Sequence, residues 1–210
     1  MKLKTHKVTS SGARIPVTIQ ITRLTREQMI EYQIEDKDTR NSWCTQGTPC
    51  SKYGCRPCCP PKVKLFSELK EHKYMYVVAV TIDLEDYYEV YPTVRDSKSW
   101  CYFGMDGTHK MSRNIQNKIA TSFEGQAFRV GGCLGCQYPK TGHCKRFAPA
   151  LEAGGINVID LAKGVFGIDI TWRATKQPMI DMTAIGGIYT DEVLTKEHLK
   201  EVVKNVCMGK

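Results

Sequence analysis

Three features are missing from this 210-residue sequence: a long apolar run, a concentrated run of basic residues and a low-complexity tract. The longest apolar stretch lies near Tyr74–Ile82 and is far shorter than the roughly 20 residues that span a bilayer. The first residues carry no apolar segment of the signal-peptide kind, so we expect a cytoplasmic protein without a membrane span. Without a Lys/Arg run, nucleic acid is disfavoured as a partner.

Histidine is scarce, with five residues in the chain, and His6, His72, His109 and His198 stand alone in the sequence. The aspartates and glutamates form no visible pair, so no general acid–base couple is assigned. Cysteine is abundant by contrast, at ten residues. A reducing compartment keeps thiols unbridged, and a dense cysteine pattern there indicates metal binding or catalysis rather than disulfides.

The composition is that of an ordinary globular protein, with 41% hydrophobic and 25% charged residues, and predicts a single domain over residues 1–210. The apolar patterns predict strands and helices without the spacing of a doubly wound sheet. We therefore expect an α/β or α+β fold with one mixed β-sheet flanked by helices. Strands are predicted at Ile15–Leu24, Tyr74–Ile82, Ala127–Val130, Ile156–Ile159, Ile168–Arg173 and Met179–Tyr189. Helices are predicted after Thr25, at Leu65–His72, at Met111–Phe123 and, capped by Thr195, at about Lys196–Val206, and irregular structure is expected from Asp36 to Lys64.

Two cysteine-rich loops, at about 43–62 and 131–147, interrupt these elements. The first holds Cys44, Cys50, Cys55, Cys58 and Cys59, the last followed by two prolines. Cysteines that serve as small core residues sit in periodic segments, and this stretch has no hydrophobic period. The spacing Cys50-x4-Cys55-x2-Cys58 matches three ligands of plant-type ferredoxins, whereas a Cys-Pro step is typical of bacterial four-iron sites.

The second loop contains Gly131-Gly132-Cys133-Leu134-Gly135-Cys136 and then Cys144. A Cys-x2-Cys turn places two thiolates on one ion, and its glycines allow a tight backbone around the sulfurs. Three thiolates do not complete a site. A fourth ligand could come from Cys101, from the first loop or from His143, or one metal position could stay open to a substrate.

Two kinds of centre fit these spacings, an iron–sulfur cluster, most simply of the four-iron type, and structural zinc. A four-cysteine zinc site could combine Cys55 and Cys58 with Cys133 and Cys136. We favour iron–sulfur clusters, one or two of them. The candidate cofactor and metal ligands are Cys50, Cys55, Cys58, Cys59, Cys133, Cys136 and Cys144.

The second loop and its continuation to Val158 resemble the predicted metal-binding proteins of archaea and anaerobic bacteria grouped as domain of unknown function 2284. The shared motifs are the glycine-rich Cys-x2-Cys, Cys144-Lys145-Arg146, Pro149–Val158, Cys59-Pro60-Pro61 and Ile170-Thr171-Trp172. The resemblance covers roughly residues 50–190. It implies metal binding by Cys50, Cys55, Cys59, Cys133, Cys136 and Cys144, and it implies no particular reaction.

The function stays open between three classes. A fully ligated cluster would serve electron transfer, and a cluster with an open iron would bind a small substrate for Lewis-acid chemistry or sulfur transfer. A zinc-stabilised interaction module, which could contact nucleic acid, is the alternative. The formal charge of +8 falls to about +4 once two four-cysteine sites are loaded, which suits an acidic redox carrier as a partner. Pro139 stands where the family pattern has a cysteine, which favours incomplete ligation.

Overall fold

The computed structural model describes residues 1–9, 11–45, 50, 53–95, 113–119, 122–131, 148–170 and 181–208. Its strands are β1 (Lys2–Val8), β2 (Arg14–Thr25), β3 (Tyr74–Asp83), β4 (Gln126–Phe128) and β5 (Asp181–Thr190). Its helices are α1 (Arg26–Ile30), α2 (Lys37–Thr45), α3 (Leu84–Val90), α4 (Pro92–Arg95), α5 (113–119), α6 (Val158–Phe166) and α7 (Lys196–Cys207). Two short 3₁₀ turns lie at Phe66–Glu68 and Glu152–Gly154.

The five strands form one sheet in the order β1-β2-β3-β5-β4. Every pairing between them is antiparallel, so the fold is α+β and the prediction of a mixed sheet is wrong for the described strands. The reason lies in the connections. Thr25 pairs with Tyr74, so the long segment that contains the first cysteine loop leaves and re-enters the sheet at the same end. Such a return reverses the strand direction, whereas a crossover would have kept it parallel.

Hydrophobic residues on both faces of the sheet are covered. The alternation predicted in β2 is confirmed, since Ile15, Val17, Ile19 and Ile21 are all buried. These residues face a core built with α3, α5 and α7. The opposite face packs against α1, α6 and the Phe66 turn. β3 is buried almost throughout because it lies between the two layers, as its continuous apolar run predicted.

The predicted ends of two helices are confirmed. Thr25 caps α1 in a reciprocal capping box with Gln28, and the Thr195 hydroxyl accepts from the His198 N–H at the start of α7. α5 is helical over 113–119 and buries Ile115 and Ile119, as predicted.

Other local predictions are wrong. The helix predicted over Leu65–His72 is a single 3₁₀ turn. In the strand predicted at Ile156–Ile159, Ile156 forms only an isolated bridge with Gln33, and α6 begins at Val158. Residues 168–170 of the strand predicted at Ile168–Arg173 are not in a strand, and its remaining residues lie outside the described ranges. Irregular structure was expected from Asp36, but α2 begins at Lys37 and carries Cys44 in its last turn. In α6 the Asn157 side chain accepts from the Ile159 and Asp160 N–H groups, and this cap starts a helix in a segment rich in β-branched residues.

Among the helices of the described residues, none combines the length and the hydrophobicity needed to cross a bilayer.

Candidate metal centre

The five cysteines of the first loop differ in exposure. Cys58 is buried at 3% relative exposure, Cys44 and Cys59 are partly buried, and Cys50 and Cys55 are exposed. None of the described cysteines forms a disulfide. The thiols therefore run from the protein interior to its surface, and the loop can present sulfur outward while one cysteine anchors it in the core.

Backbone hydrogen bonds hold this loop in place. The Cys50 N–H donates to the Cys44 carbonyl at 2.8 Å, which ties the loop to the end of α2. The Gly54 N–H donates to the Pro60 carbonyl at 2.8 Å, and Gly54 has φ +67°, a conformation that glycine adopts without strain. The Cys59 N–H donates to the Arg56 carbonyl at 3.1 Å. Local hydrogen bonding thus orders a segment that has little apolar surface to bury.

A buried arginine connects the loop to α2. Arg40 is 1% exposed and donates from Nη1 to the Val63 carbonyl at 3.0 Å. Its Nε and Nη2 both donate to Asn41 Oδ1. Because Arg40 and Asn41 both lie in α2, the hydrogen bond to Val63 attaches the chain after Cys59 to this helix.

Burial and neighbouring groups shift the pKa of two thiols of the first loop in opposite directions. Burial raises the pKa of the Cys44 thiol, and the charges of Cys50 and Glu152 raise it further. A hydrogen bond from Cys58 lowers the pKa of the Cys59 thiol, although burial opposes it. The charges of Cys50 and Cys44 also act on Cys59. The pKa of the Cys59 thiol is thus lowered, whereas that of the Cys44 thiol is raised.

No three Cys, His, Asp or Glu side chains in the described ranges are arranged so that they could hold a metal ion. The predicted ligands Cys133, Cys136 and Cys144, together with Cys101 and His143, lie outside those ranges. The described part of the chain thus contains only one of the two predicted cysteine groups. The prediction that both loops bind metal stays a prediction.

The two ends of the second loop lie side by side. The Arg129 N–H donates to the Pro149 carbonyl at 2.8 Å, which closes the base of the loop directly after β4. Phe128, at the end of β4, packs against Phe66 with their ring centroids 5.8 Å apart. Phe66 follows the first loop in the chain and is fully buried. The exit of the first loop and the base of the second therefore meet on one face of the sheet.

Glu152 lies just beyond that base, in the second 3₁₀ turn. Its Oε2 atom is buried and has no hydrogen-bond partner within the part of the chain that the structure describes. Burial raises the pKa of this carboxyl group, and its charge acts on Cys44 of the first loop. The sequence assigned Glu152 no role. The sequence signal was that this carboxylate lies between two apolar residues, Leu151 and Ala153. Both are buried in the structure.

The donor chemistry at this place fits a thiophilic metal. Thiolates favour zinc and iron–sulfur clusters, while magnesium and calcium require oxygen ligands. A buried carboxylate oxygen without a partner is also suited to face a cation. The residues present are thus compatible with iron–sulfur or zinc binding, and they disfavour the hard divalent ions.

Two cavities elsewhere contain no cysteine. One of about 450 Å³ lies on the sheet between β1 and β5 and includes Lys4, His6, Asp83 and Asp181 in its wall. A smaller one of about 250 Å³ is lined in part by His72 and Tyr189. His72, which stood alone in the sequence, forms a hydrogen bond between its Nδ1 atom and Asp191 Oδ2 at 2.9 Å.

A family model described as "Predicted metal-binding protein (DUF2284)" matches residues 18–186. The matched region runs from β2 into β5 and includes both cysteine groups, so the resemblance inferred from the motifs is confirmed. Searches of the curated proteins and of the solved structures found no match to this chain.

Proposed function

Because the chain belongs to the family of predicted metal-binding proteins that carry domain of unknown function 2284, we propose that it binds an iron–sulfur cluster through its two cysteine loops. One observation supports the proposal: the base of the second loop packs next to the exit of the first, where Phe128 contacts Phe66 at 5.8 Å between ring centroids. The proposed ligands come from Cys50, Cys55, Cys58, Cys59, Cys133, Cys136 and Cys144.

The protein's own contribution is the placement of these sulfurs. Cys58 anchors the loop in the interior, the Arg40 hydrogen bond fixes the chain after Cys59, and Phe66 joins the two loops. When bound, the cluster would supply one-electron redox chemistry or, at an incompletely ligated iron, Lewis-acid chemistry and sulfur transfer. In the first case we propose an acidic redox carrier as the partner, and in the second a small-molecule substrate.

We also propose that the protein works in the cytoplasm. Metal binding by the dense cysteine pattern requires unbridged thiols, and a reducing compartment maintains that state. Exposed thiols such as Cys50 and Cys55 would otherwise be prone to oxidation.

Metal and sulfide analysis of protein purified without oxygen tests the cluster. We expect iron and acid-labile sulfide together with a broad absorbance near about 400 nm from sulfur-to-iron charge transfer. A colourless, folded protein that contains zinc would contradict the iron proposal and support the zinc-stabilised module. Folded protein that takes up neither metal under these conditions would contradict metal binding itself.

Two cysteine-to-alanine variants test whether the first loop holds the metal. Cys58→Ala removes a buried cysteine of the loop, and Cys207→Ala removes a similarly buried cysteine in α7, outside both cysteine loops. Both changes delete the same side chain from the interior, so their costs in folding stability should be similar. We expect loss of metal from Cys58→Ala alone. Equal metal content in both variants would remove Cys58 from the ligand set.

A further inference from the structure

We propose that the cavity of about 250 Å³ between residues 69–72 and strands β4 and β5 binds a small carboxylate with a short apolar tail. Its described wall contains no cysteine, so the proposed site is independent of the metal centre. Ligand clefts commonly enclose about 300–1,000 Å³. A cavity somewhat below that range suits a ligand smaller than a drug molecule.

The wall segment 69–72 is held at both of its ends. The Leu69 N–H donates to the Phe66 carbonyl at 3.1 Å, and the Lys73 N–H donates to Asp191 Oδ1 at 2.9 Å. On the opposite side a Cβ atom at Gly125 would collide with the Tyr189 carbonyl oxygen, so glycine lets the start of β4 lie close against β5. The cavity is therefore preformed, and a ligand has little of the chain to order on binding.

His72 offers one nitrogen to a ligand. Its Nδ1 atom lies 2.9 Å from Asp191 Oδ2, and because an ionised carboxylate only accepts, Nδ1 carries the hydrogen of this bond. The ring also packs edge-on against the Tyr189 ring at 5.0 Å between centroids. Its Nε2 atom has no hydrogen-bond partner in the described part of the chain. When the imidazole is protonated, Nε2 is a donor too and can bond to an anion.

The charge of Asp191 is already engaged by the protein. One of its oxygens accepts from His72 and the other from the Lys73 N–H. Lys70, by contrast, is exposed at the cavity wall and forms no ion pair with any described residue. The positive charge of Lys70 is thus the one in this wall that is left for a bound anion.

Tyr189 adds a hydroxyl group that lacks a partner. Tyr189 is 0% exposed, and its oxygen is buried without a hydrogen bond to the described residues. A buried hydroxyl group in that state is costly. Because Tyr189 lines the cavity, an oxygen atom of a bound ligand would supply the missing partner.

The number and kind of these groups favour a carboxylate over a phosphate. One ammonium group, one imidazole nitrogen and one hydroxyl group match the single charge and two oxygens of a carboxylate. Phosphate is typically bound by arginine forks or by several successive backbone N–H groups. Leu69 is half-buried against the core and, with the Tyr189 ring, gives the cavity an apolar side for a short hydrocarbon tail.

Ligand-observed saturation-transfer NMR on the full chain, as purified, tests the proposal with butyrate as the probe. n-Butylammonium has the same tail and the opposite charge, and it serves as the control at equal ionic strength. We expect saturation transfer to butyrate and little to n-butylammonium, because the free charge of the cavity is positive. Equal transfer to both probes would contradict a carboxylate site. Stronger displacement of butyrate by inorganic phosphate than by acetate would contradict the ligand class.

His72→Phe tests the imidazole nitrogen while keeping an aromatic ring against Tyr189. It should weaken butyrate binding about tenfold or more, because a hydrogen bond to a charged group is lost. His198→Phe is the matched control, since that ring packs on Phe123 away from the cavity. Lys70→Met should weaken binding about two- to fivefold, and Lys196→Met, at an exposed position of α7, should not.

Tyr189→Phe separates ligand binding from a structural role, because it removes the hydroxyl group alone. Butyrate binding should weaken about two- to tenfold. The urea midpoint without butyrate should stay unchanged or rise, since the hydroxyl group has no partner among the described residues, whereas a structural hydroxyl group would lower it. If the His72, Lys70 and Tyr189 variants all bind butyrate as the unaltered protein does, the proposal is wrong.

Discussion

The rings of Phe66 and Phe128 contact each other at 5.8 Å between centroids, one directly after the first cysteine loop and the other directly before the second. Phe66 also packs on Tyr189 of β5 at 4.8 Å. The contact is therefore part of the core and at the same time the described connection between the two loops. A change at Phe66 should act on both stability and metal binding.

Phe66→Ala should lower the free energy of unfolding by about 3–5 kcal/mol, because it removes a fully buried ring and leaves a cavity. It should also reduce metal content per folded molecule, because the two loops lose their common contact. Ile19→Ala is the control, since Ile19 is fully buried on the opposite face. It should cost about 2–5 kcal/mol and leave metal content unchanged. Equal metal loss in both would argue against a connecting role.

Much of the sheet could be predicted because its signals are local. The alternation in β2 determines which side chains face the core, and the apolar run of β3 predicts burial on both faces. The start of α6 could not be read in the same way. Its Val158 and Ile159 favour a strand, and the helix is selected by the Asn157 cap and the left-handed Gly167 at its two ends.

Within the candidate site, only the group of cysteines that are close together in the sequence could be predicted. Spacing within the chain pointed to Cys50, Cys55, Cys58 and Cys59 as one group, because those residues are close in sequence. The contact of Phe66 with Phe128, which brings the exit of the first loop next to the base of the second, depends on the packing of both rings into one core. No periodicity or motif encodes a contact between residues so distant in sequence.

Gly155 offers a test of the turn that carries Glu152. Gly155 has φ +87°, and a Cβ atom there would lie 2.8 Å from Leu65 Cδ2 and 3.2 Å from the Ile34 carbonyl oxygen. Gly155→Ala should therefore cost the left-handed penalty of about 1–2 kcal/mol and an additional steric penalty. The urea midpoint of the metal-free protein measures the sum.

Gly167→Ala is the matched control for that change. Gly167 has φ +66°, but a Cβ atom there would meet nothing within 4 Å. Its replacement should cost only the conformational penalty of about 1–2 kcal/mol. If the two alanine variants unfold at the same urea concentration, the crowding around Gly155 is not a constraint on the fold.

Arg40→Met tests the connection between α2 and the first loop. The change removes the Nη1 donor and leaves the Val63 carbonyl without it, which should cost about 1–3 kcal/mol. Amide hydrogen exchange should accelerate most at Lys62 and Val63, whose N–H groups bond to Cys59. Arg14→Met, at an exposed position of β2, should leave stability and exchange in the loop nearly unchanged. If the amides of the loop exchange equally fast in the Arg40→Met and Arg14→Met variants, Arg40 does not order the loop.

Asp191→Asn should change how stability responds to acid. A hydrogen bond from His72, followed by one from the Lys73 N–H, lowers the pKa of Asp191 below its ordinary value of 3.8. A carboxyl group whose pKa is lower in the folded than in the unfolded protein stabilises the fold at pH values above its unfolded-state pKa. That stabilisation is lost as the pH falls through the folded-state pKa. Urea unfolding between about pH 2 and pH 7 should therefore show a shallower acid dependence for the variant, with the two proteins converging at the lowest pH. Glu35→Gln, an exposed change before α2, should keep the original dependence. A constant difference between Asp191→Asn and the unaltered protein at every pH would mean that the Asp191 charge does not contribute.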